Sequence, residues 1–270
     1  MTRQNSGLEA LSFKVTMWSL ATLCFLLLVL PTLVVVVVSF TSGYSLKFPP
    51  AGYSLRWYQA LMDAWQLHFA AANSFEVACW TTALSVVLGV AAALAIARSE
   101  KWTARVLDSL FMSPLVLPAL AFGLASLMFF SLIGLPISLV TLVIGHMVVC
   151  VPYVVRTTVA ALAQLNPSLL ESSASLGASQ LYTFQRVTLP LIRPGILAGA
   201  FIAFMSSFDN VPVSLFLRDA RTDMLPIRMW QDLEGKLDVT IAAVSGVMIA
   251  VTVIALIVME RVSGLSRRLR

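Results

Sequence analysis

SLFMSPLVLPALAFGLASLMFFSLIGLPISLVTLVIGHMVVCVPYVV, residues 109–155, contains no Asp, Glu, Lys or Arg. One crossing of a bilayer core roughly 30 Å thick takes about 20 apolar helical residues. The stretch is therefore long enough for two crossings, and Gly134-Leu135-Pro136 near its middle reads as the turn between them. The same pattern recurs along the chain. No charge lies between Lys14 and Lys47, and charge-free runs follow at 77–97 and 239–259. Residues 196–217 carry a single charge, Asp209. Of the 270 residues, 59% are hydrophobic and 11% charged, where soluble domains average roughly 25% charged. Too little polar surface remains to cover a water-soluble globule.

The expected fold class is an all-α membrane protein with six transmembrane helices near 15–40, 75–97, 109–132, 137–155, 194–217 and 239–259. The first run is far longer than a signal-peptide core and has no small-residue cleavage pattern after it, so it reads as a retained span. Orientation follows from Lys and Arg. With the N-terminus inside, 12 of the 18 fall on the cytoplasmic side and six outside, which favours N-in and C-in. The layout is then a cytoplasmic N-terminus (1–14), a first transmembrane helix (15–40), an outer loop with an interfacial helix (41–73), a five-helix core (74–260) and a basic cytoplasmic tail (261–270). Trp57, Tyr58 and Trp65 suit the headgroup level of that outer loop.

Several function classes drop out. The net charge of +5 is a topology signal, and no basic patch with a fold to present it to nucleic acid is visible. There is no phosphate-binding G-x-x-x-x-G-K-[ST] loop. No catalytic or metal-ligating set is expected, and no cofactor. Cys24, Cys79 and Cys150 lie in expected spans without metal-ligand spacing and read as small buried residues. His146 reads as an interhelical hydrogen-bond partner. Pro114, Pro118 and Pro152 mark kinks in the third and fourth spans.

Between the fourth and fifth expected spans lies a polar stretch, ESSASLGASQLYTFQRVTLPLIRPGI (171–196). Asn166-Pro167 is a helix start, with Asn as cap and Pro where a missing N–H costs nothing. Glu171 lies early in that helix, where negative charge suits the dipole. Gly177 is placed to stop it in a left-handed conformation. The spacing predicts a helix over 167–176 and a second, capped by Ser179, over 180–187, with Pro190 and Pro194-Gly195 separating it from the fifth span. Two short helices with apolar tips in water suggest a partner surface.

The spacing Glu171-Ser172-Ser173, Gly177, then Val187-Thr188-Leu189-Pro190 after nine residues resembles the EAA loop of bacterial ABC importer inner-membrane permease subunits. Serines replace the two alanines and Val replaces Ile. NSFEVACWTTALSVVLGVAAALAIAR (73–98) resembles the opening segment of that family. FPPAGYSLRWYQAL (48–61), SSFDNVPVSLFL (206–217) and LPIRMW (225–230) resemble its spermidine/putrescine branch, on the side of the second permease subunit.

The resemblance implies a coupling-helix loop at 166–190. Glu171, Ala174 and Gly177 form its docking core, with Ser172, Ser173 and Leu176 around it. It implies as partners two ATPase subunits, a second permease chain, an extracytoplasmic solute-binding protein and membrane lipid, in the bacterial inner membrane, with polyamine as solute. The same architecture also serves importers of other small polar solutes, and a stand-alone secondary transporter is the more distant alternative. From the residues themselves, Asp209 with Asn210, Ser206 and Ser207 forms a polar segment inside a span. An intramembrane carboxylate costs roughly 2.5–3.5 kcal/mol at helix centre and points to a solute path or an interhelical bond.

Overall fold

The computed structural model describes residues 3–219, 221–236 and 239–263, with side chains described over 11–219, 221–235 and 239–261. Residues 264–270 of the basic tail expected at 261–270 lie outside the described residues. The elements in order are α1 (Arg3–Ser39), α2 (Arg56–Met62), α3 (Trp65–Arg98), α4 (Lys101–Val116), α5 (Ala119–Leu132), α6 (Leu139–Ala163), α7 (Pro167–Ser175) and α8 (Gln180–Thr183). A π-helical turn (Phe184–Thr188) leads into α9 (Leu189–Phe208), followed by α10 (Val211–Leu217), α11 (Leu225–Lys236) and α12 (Thr240–Ser263). Helix is the form expected where lipid offers the backbone no hydrogen bonds. Five helical runs are long and apolar enough to cross a membrane, and a sixth arises if the bent pair α4–α5 counts as one.

That pair departs from the expectation of a single kinked span at 109–132. α4 and α5 meet at 100°. Pro118 removes one backbone donor and pushes Leu117 out of the helical region, to φ −74° and ψ 143°. Pro114 lies inside α4 without ending it. At 16 and 14 residues, the two helices reach roughly 24 and 21 Å, short of the ~30 Å hydrocarbon core.

The fifth span also departs from expectation. Helix runs unbroken from Gln180 to Phe208, through Pro190 and Pro194, and it stops nine residues before the expected end at 217. The π-helical turn ends at Thr188, two residues before Pro190, and spans the position four residues earlier where a proline would otherwise collide with the carbonyl. α3 begins at Trp65, well inside the expected outer loop. Of the cysteines, Cys150 is buried as expected, whereas Cys24 and Cys79 are exposed.

The chain divides into two compact units. In the first, α1 is followed by a tight turn in which the Ser54 amide donates to the Phe40 carbonyl and the Ser42 amide to Gly52. The Arg56 guanidinium covers the rings of Tyr44 and Trp57 at 4.1 and 4.8 Å, and the Trp57 indole donates to the Gly43 carbonyl. Ser39 Oγ and Tyr58 Oη lie 2.8 Å apart, and both approach Gly246 so closely that a Cβ there would sit 2.6 Å from the phenol oxygen.

In the second unit, α3, α6 and α9 pack on one another and α10 packs on α5 and α6. Lipid supplies no hydrophobic drive between helices, so close van der Waals approach has to hold them. Small residues permit it. A Cβ on Gly89 of α3 would meet Val154 at 2.7 Å, and one on Gly123 of α5 would meet the Pro212 carbonyl at 2.6 Å. A buried cluster of Val77, Phe130, Leu142, Val143, Val213, Leu217, Met224 and Ile227 ties these helices to the segment after α10. There Asn73 donates to the carbonyls of Arg221 and Asp223, the Leu225 amide donates to Ser74 Oγ, and Arg218 pairs with Asp223 at 2.7 Å.

Candidate functional site

The loop between α6 and α9 folds as local chemistry dictates at its start. The Ser168 amide donates to Asn166 Oδ1 at 3.1 Å, and Pro167 opens α7. The end is a Schellman turn: Gly177 has φ +78°, its amide donates to the Ala174 carbonyl at 2.9 Å and the Ala178 amide to Ser173 at 3.1 Å. Ser179 then caps α8 by accepting from the Tyr182 amide. Ser173 Oγ and Thr183 Oγ1 meet at 2.7 Å, which fastens α7 to α8. Gly177→Ala is expected to strain this turn by about 1 kcal/mol. Hydrogen exchange at the Gly177 and Ala178 amides should accelerate roughly fivefold; unchanged exchange would contradict the left-handed turn.

Around this frame the predicted residues separate into roles. Ser173 is half-buried and structural. Ala174, with Leu170, lines an open pocket of about 390 Å³ shared with Leu94, Arg98, Leu162 and Thr183. Glu171 and Ser172 are exposed. Glu171 lies in the second turn of α7 and not in its first, where the helix-end dipole has faded. Helix electrostatics therefore do not account for it, and its carboxylate has no partner among the described residues. Leu176 is 87% exposed, Leu181 66% and Tyr182 57%. The knob thus carries a free carboxylate beside three uncovered apolar side chains.

The second candidate region is the break between α9 and α10. α9 ends at Phe208 and α10 starts at Val211. Asn210 is buried and its Oδ1 accepts from the Val213 amide at 3.0 Å, capping α10. Ser207 is buried against His146 of α6. Ser206 is half-buried. Asp209 is exposed and makes no side-chain hydrogen bond among the described residues. Of the four expected pathway residues, Asp209 alone offers a free charged group. Beside it, the Phe208 ring stacks on Phe204, which meets Phe75 of α3 edge-on at 5.8 Å.

His146 is an interhelical partner, as the sequence suggests, but with two partners, Ser207 and Ser214, that sequence spacing does not reveal. Also unread in the sequence is the stripe Gly195, Gly199 and Ala203, which faces Ala161, Thr157, Val154 and Cys150 of α6. Its signal was available: small residues four apart in an apolar run mark a close helix contact.

Comparison with known proteins gives these features a context. The spermidine/putrescine transport system permease protein PotC of Haemophilus influenzae is 26% identical over 235 residues, covering 87% of this chain and 90% of that one. The molybdenum transport system permease protein ModB of Mycobacterium bovis is 32% identical over 201 residues, covering 69% and 75%. The solved structure of a bacterial ABC transporter involved in the import of the acidic polysaccharide alginate superposes with a TM-score of 0.71 at 17% identity, covering 98% of this chain and 99% of that one. A family model matches residues 85–269, a range that holds both the capped knob and the α9–α10 break. On that match the chain belongs to the binding-protein-dependent transport system inner membrane component family, as a multi-pass inner-membrane permease subunit of an ABC importer.

Proposed function

We propose that the chain forms part of the solute pathway of a polyamine importer. The observation that carries this reading is Asp209, a free carboxylate at the helix break that ends the apolar run Gln180–Phe208. Such a group is costly in lipid and earns retention where it faces water or a cation. A polyamine presents ammonium groups joined by methylenes. The carboxylate suits the first, and the neighbouring Phe208, Phe204 and Phe75 suit both through apolar contact and cation–π attraction. The similarity to a spermidine/putrescine permease supports the same solute.

The similarity to a molybdenum permease favours a second reading, an oxyanion. Asp209 speaks against it, because a fixed negative charge repels an anion from the path.

The topology in this reading is N-in and C-in, with α4–α5 counted as one span of six. The knob of α7 and α8 then faces the cytoplasm. It docks on one of two ATPase subunits through Glu171 and the exposed Leu176. A second permease chain completes the pathway, and an extracytoplasmic binding protein delivers the solute. ATP-driven closure of the ATPase pair moves the knobs, and the spans follow.

The test is uptake by the assembled transporter of labelled putrescine, spermidine and molybdate. Saturable uptake of the amines is expected. Asp209→Asn should lower amine uptake about tenfold while ATP hydrolysis continues. Molybdate uptake without amine uptake, or full amine uptake by Asp209→Asn, would refute the reading.

A further inference from the structure

His146 sits in the first half of α6 and is fully buried. Its Nδ1 lies 2.9 Å from Ser207 Oγ and its Nε2 3.0 Å from Ser214 Oγ. Ser207 belongs to the last turn of α9 and Ser214 to the middle of α10. One ring therefore holds both helices that flank the break, α9 and α10. A neutral imidazole has one donor and one acceptor, and a serine hydroxyl fills either role, so both contacts are satisfied in either tautomer.

The backbone across the break is weakly tied. Asn210 N–H reaches the Ser207 carbonyl at 3.4 Å, and the Val211 amide makes a short-range bond to Asp209 at 3.1 Å. The regular helical ladder does not pass through, so torsions at residues 209 and 210 are free to redirect α10 unless side chains fix it. α5 and α6 supply the fixing surface, α5 through Gly123 against Pro212 and α6 through His146 and Gly145. Gly145, beside His146, lets α10 approach so closely that a Cβ there would collide with Leu217 and lie 3.1 Å from Val213. On the other half, Gly199 lies against Val154 of the same helix.

We propose that His146 is a positioning residue for the solute pathway: by clasping Ser207 and Ser214 to α6, it fixes the break and so the direction of the Asp209 carboxylate. This rests on the reading of Asp209 as a pathway group. His146 itself is buried and touches no solute.

The experiment uses the complete transporter in proteoliposomes, with putrescine and its binding protein at saturation. Two quantities are read, putrescine taken up per ATP hydrolysed and the yield of assembled complex. Loss of packing alone would lower yield and leave uptake per ATP unchanged. His146→Ala is expected to lower uptake per ATP about tenfold. His146→Gln, whose amide keeps a donor and an acceptor, should recover most of it. Ser214→Ala, a smaller change that preserves the fold, should lower it about threefold. The pair His146→Ala with Asp209→Asn should be no worse than Asp209→Asn alone, because both act on one group.

Normal uptake per ATP in His146→Ala and Ser214→Ala would overturn the proposal. So would losses that multiply in the pair, or an amide variant as poor as the alanine. If Asp209→Asn itself transports normally, the pathway reading fails first and the clasp loses its object.

Discussion

Glu171→Arg is expected to cut ATP-driven uptake at least about a hundredfold, with the chain still in the membrane at normal amounts. The two halves of this expectation have separate grounds. Glu171 is exposed, beyond the first turn of α7, and without a partner among the described residues. Substitution at such a surface position shifts folding by about 0.5 kcal/mol or less. What it changes is the face offered to a partner. A reversed charge in a docking surface costs several kcal/mol, and about 2.8 kcal/mol is already a hundredfold in affinity. Glu171→Gln removes the charge without opposing it and should be milder, about tenfold. Co-purification of the ATPase subunit with the tagged permease gives the direct reading, and uptake the functional one. Normal co-purification with Glu171→Arg would show that the ATPase docks elsewhere.

The second large effect lies in the contact of α9 with α6. A Cβ on Gly199 would lie 2.9 Å from the Val154 Cα and collide with the Thr157 hydroxyl. The hydroxyl can rotate away, but the Val154 backbone cannot. On Gly195, a Cβ would meet the Ala161 Cβ at 2.6 Å and the Thr157 carbonyl at 2.8 Å. Any side chain on this stripe forces the helices apart, and in a membrane close approach is what binds them. Gly199→Ala should cost about 1–3 kcal/mol and lower the melting temperature of the purified complex by ~5 °C. Gly199→Leu adds three more carbons where none fits, and should leave under about a tenth of the normal chain in the membrane. Immunoblots of membranes and thermal unfolding check both. A Gly199→Ala complex that melts as the parent does would mean the helices have slack at this contact.

Legibility in the sequence followed range. The knob was readable because its signals are local: Asn166-Pro167 to start, Gly177 to stop, Ser179 to start again. Each residue dictates backbone geometry within four positions. The prolines were harder. Pro114, Pro118, Pro190 and Pro194 carry the same local signal, yet the turn falls at Pro118 alone. There α5 lies under α10, with Gly123 against Pro212. At Pro190 a π-helical turn absorbs the misfit. Both outcomes depend on neighbours that a linear reading does not supply. The clasp was the hardest, since Ser207 and Ser214 stand 61 and 68 positions from His146. Ser207 was visible in a polar segment and His146 as an interhelical partner, but Ser214 was not singled out and the pairing was not legible.

The unbroken run from Gln180 to Phe208 has a mechanical consequence. Its 29 residues make a rod roughly 43 Å long, with one end in the knob and the other at the break beside Asp209. The Gly199 contact lies past its midpoint and can serve as a fulcrum. Tilting such a rod by about 10° about that contact would carry the α8 end some 5 Å and the end at the break some 2 Å in the opposite sense. A push on α8 therefore arrives at the break as a displacement comparable to the width of a small cation. No loop lies between the two ends to absorb the stroke.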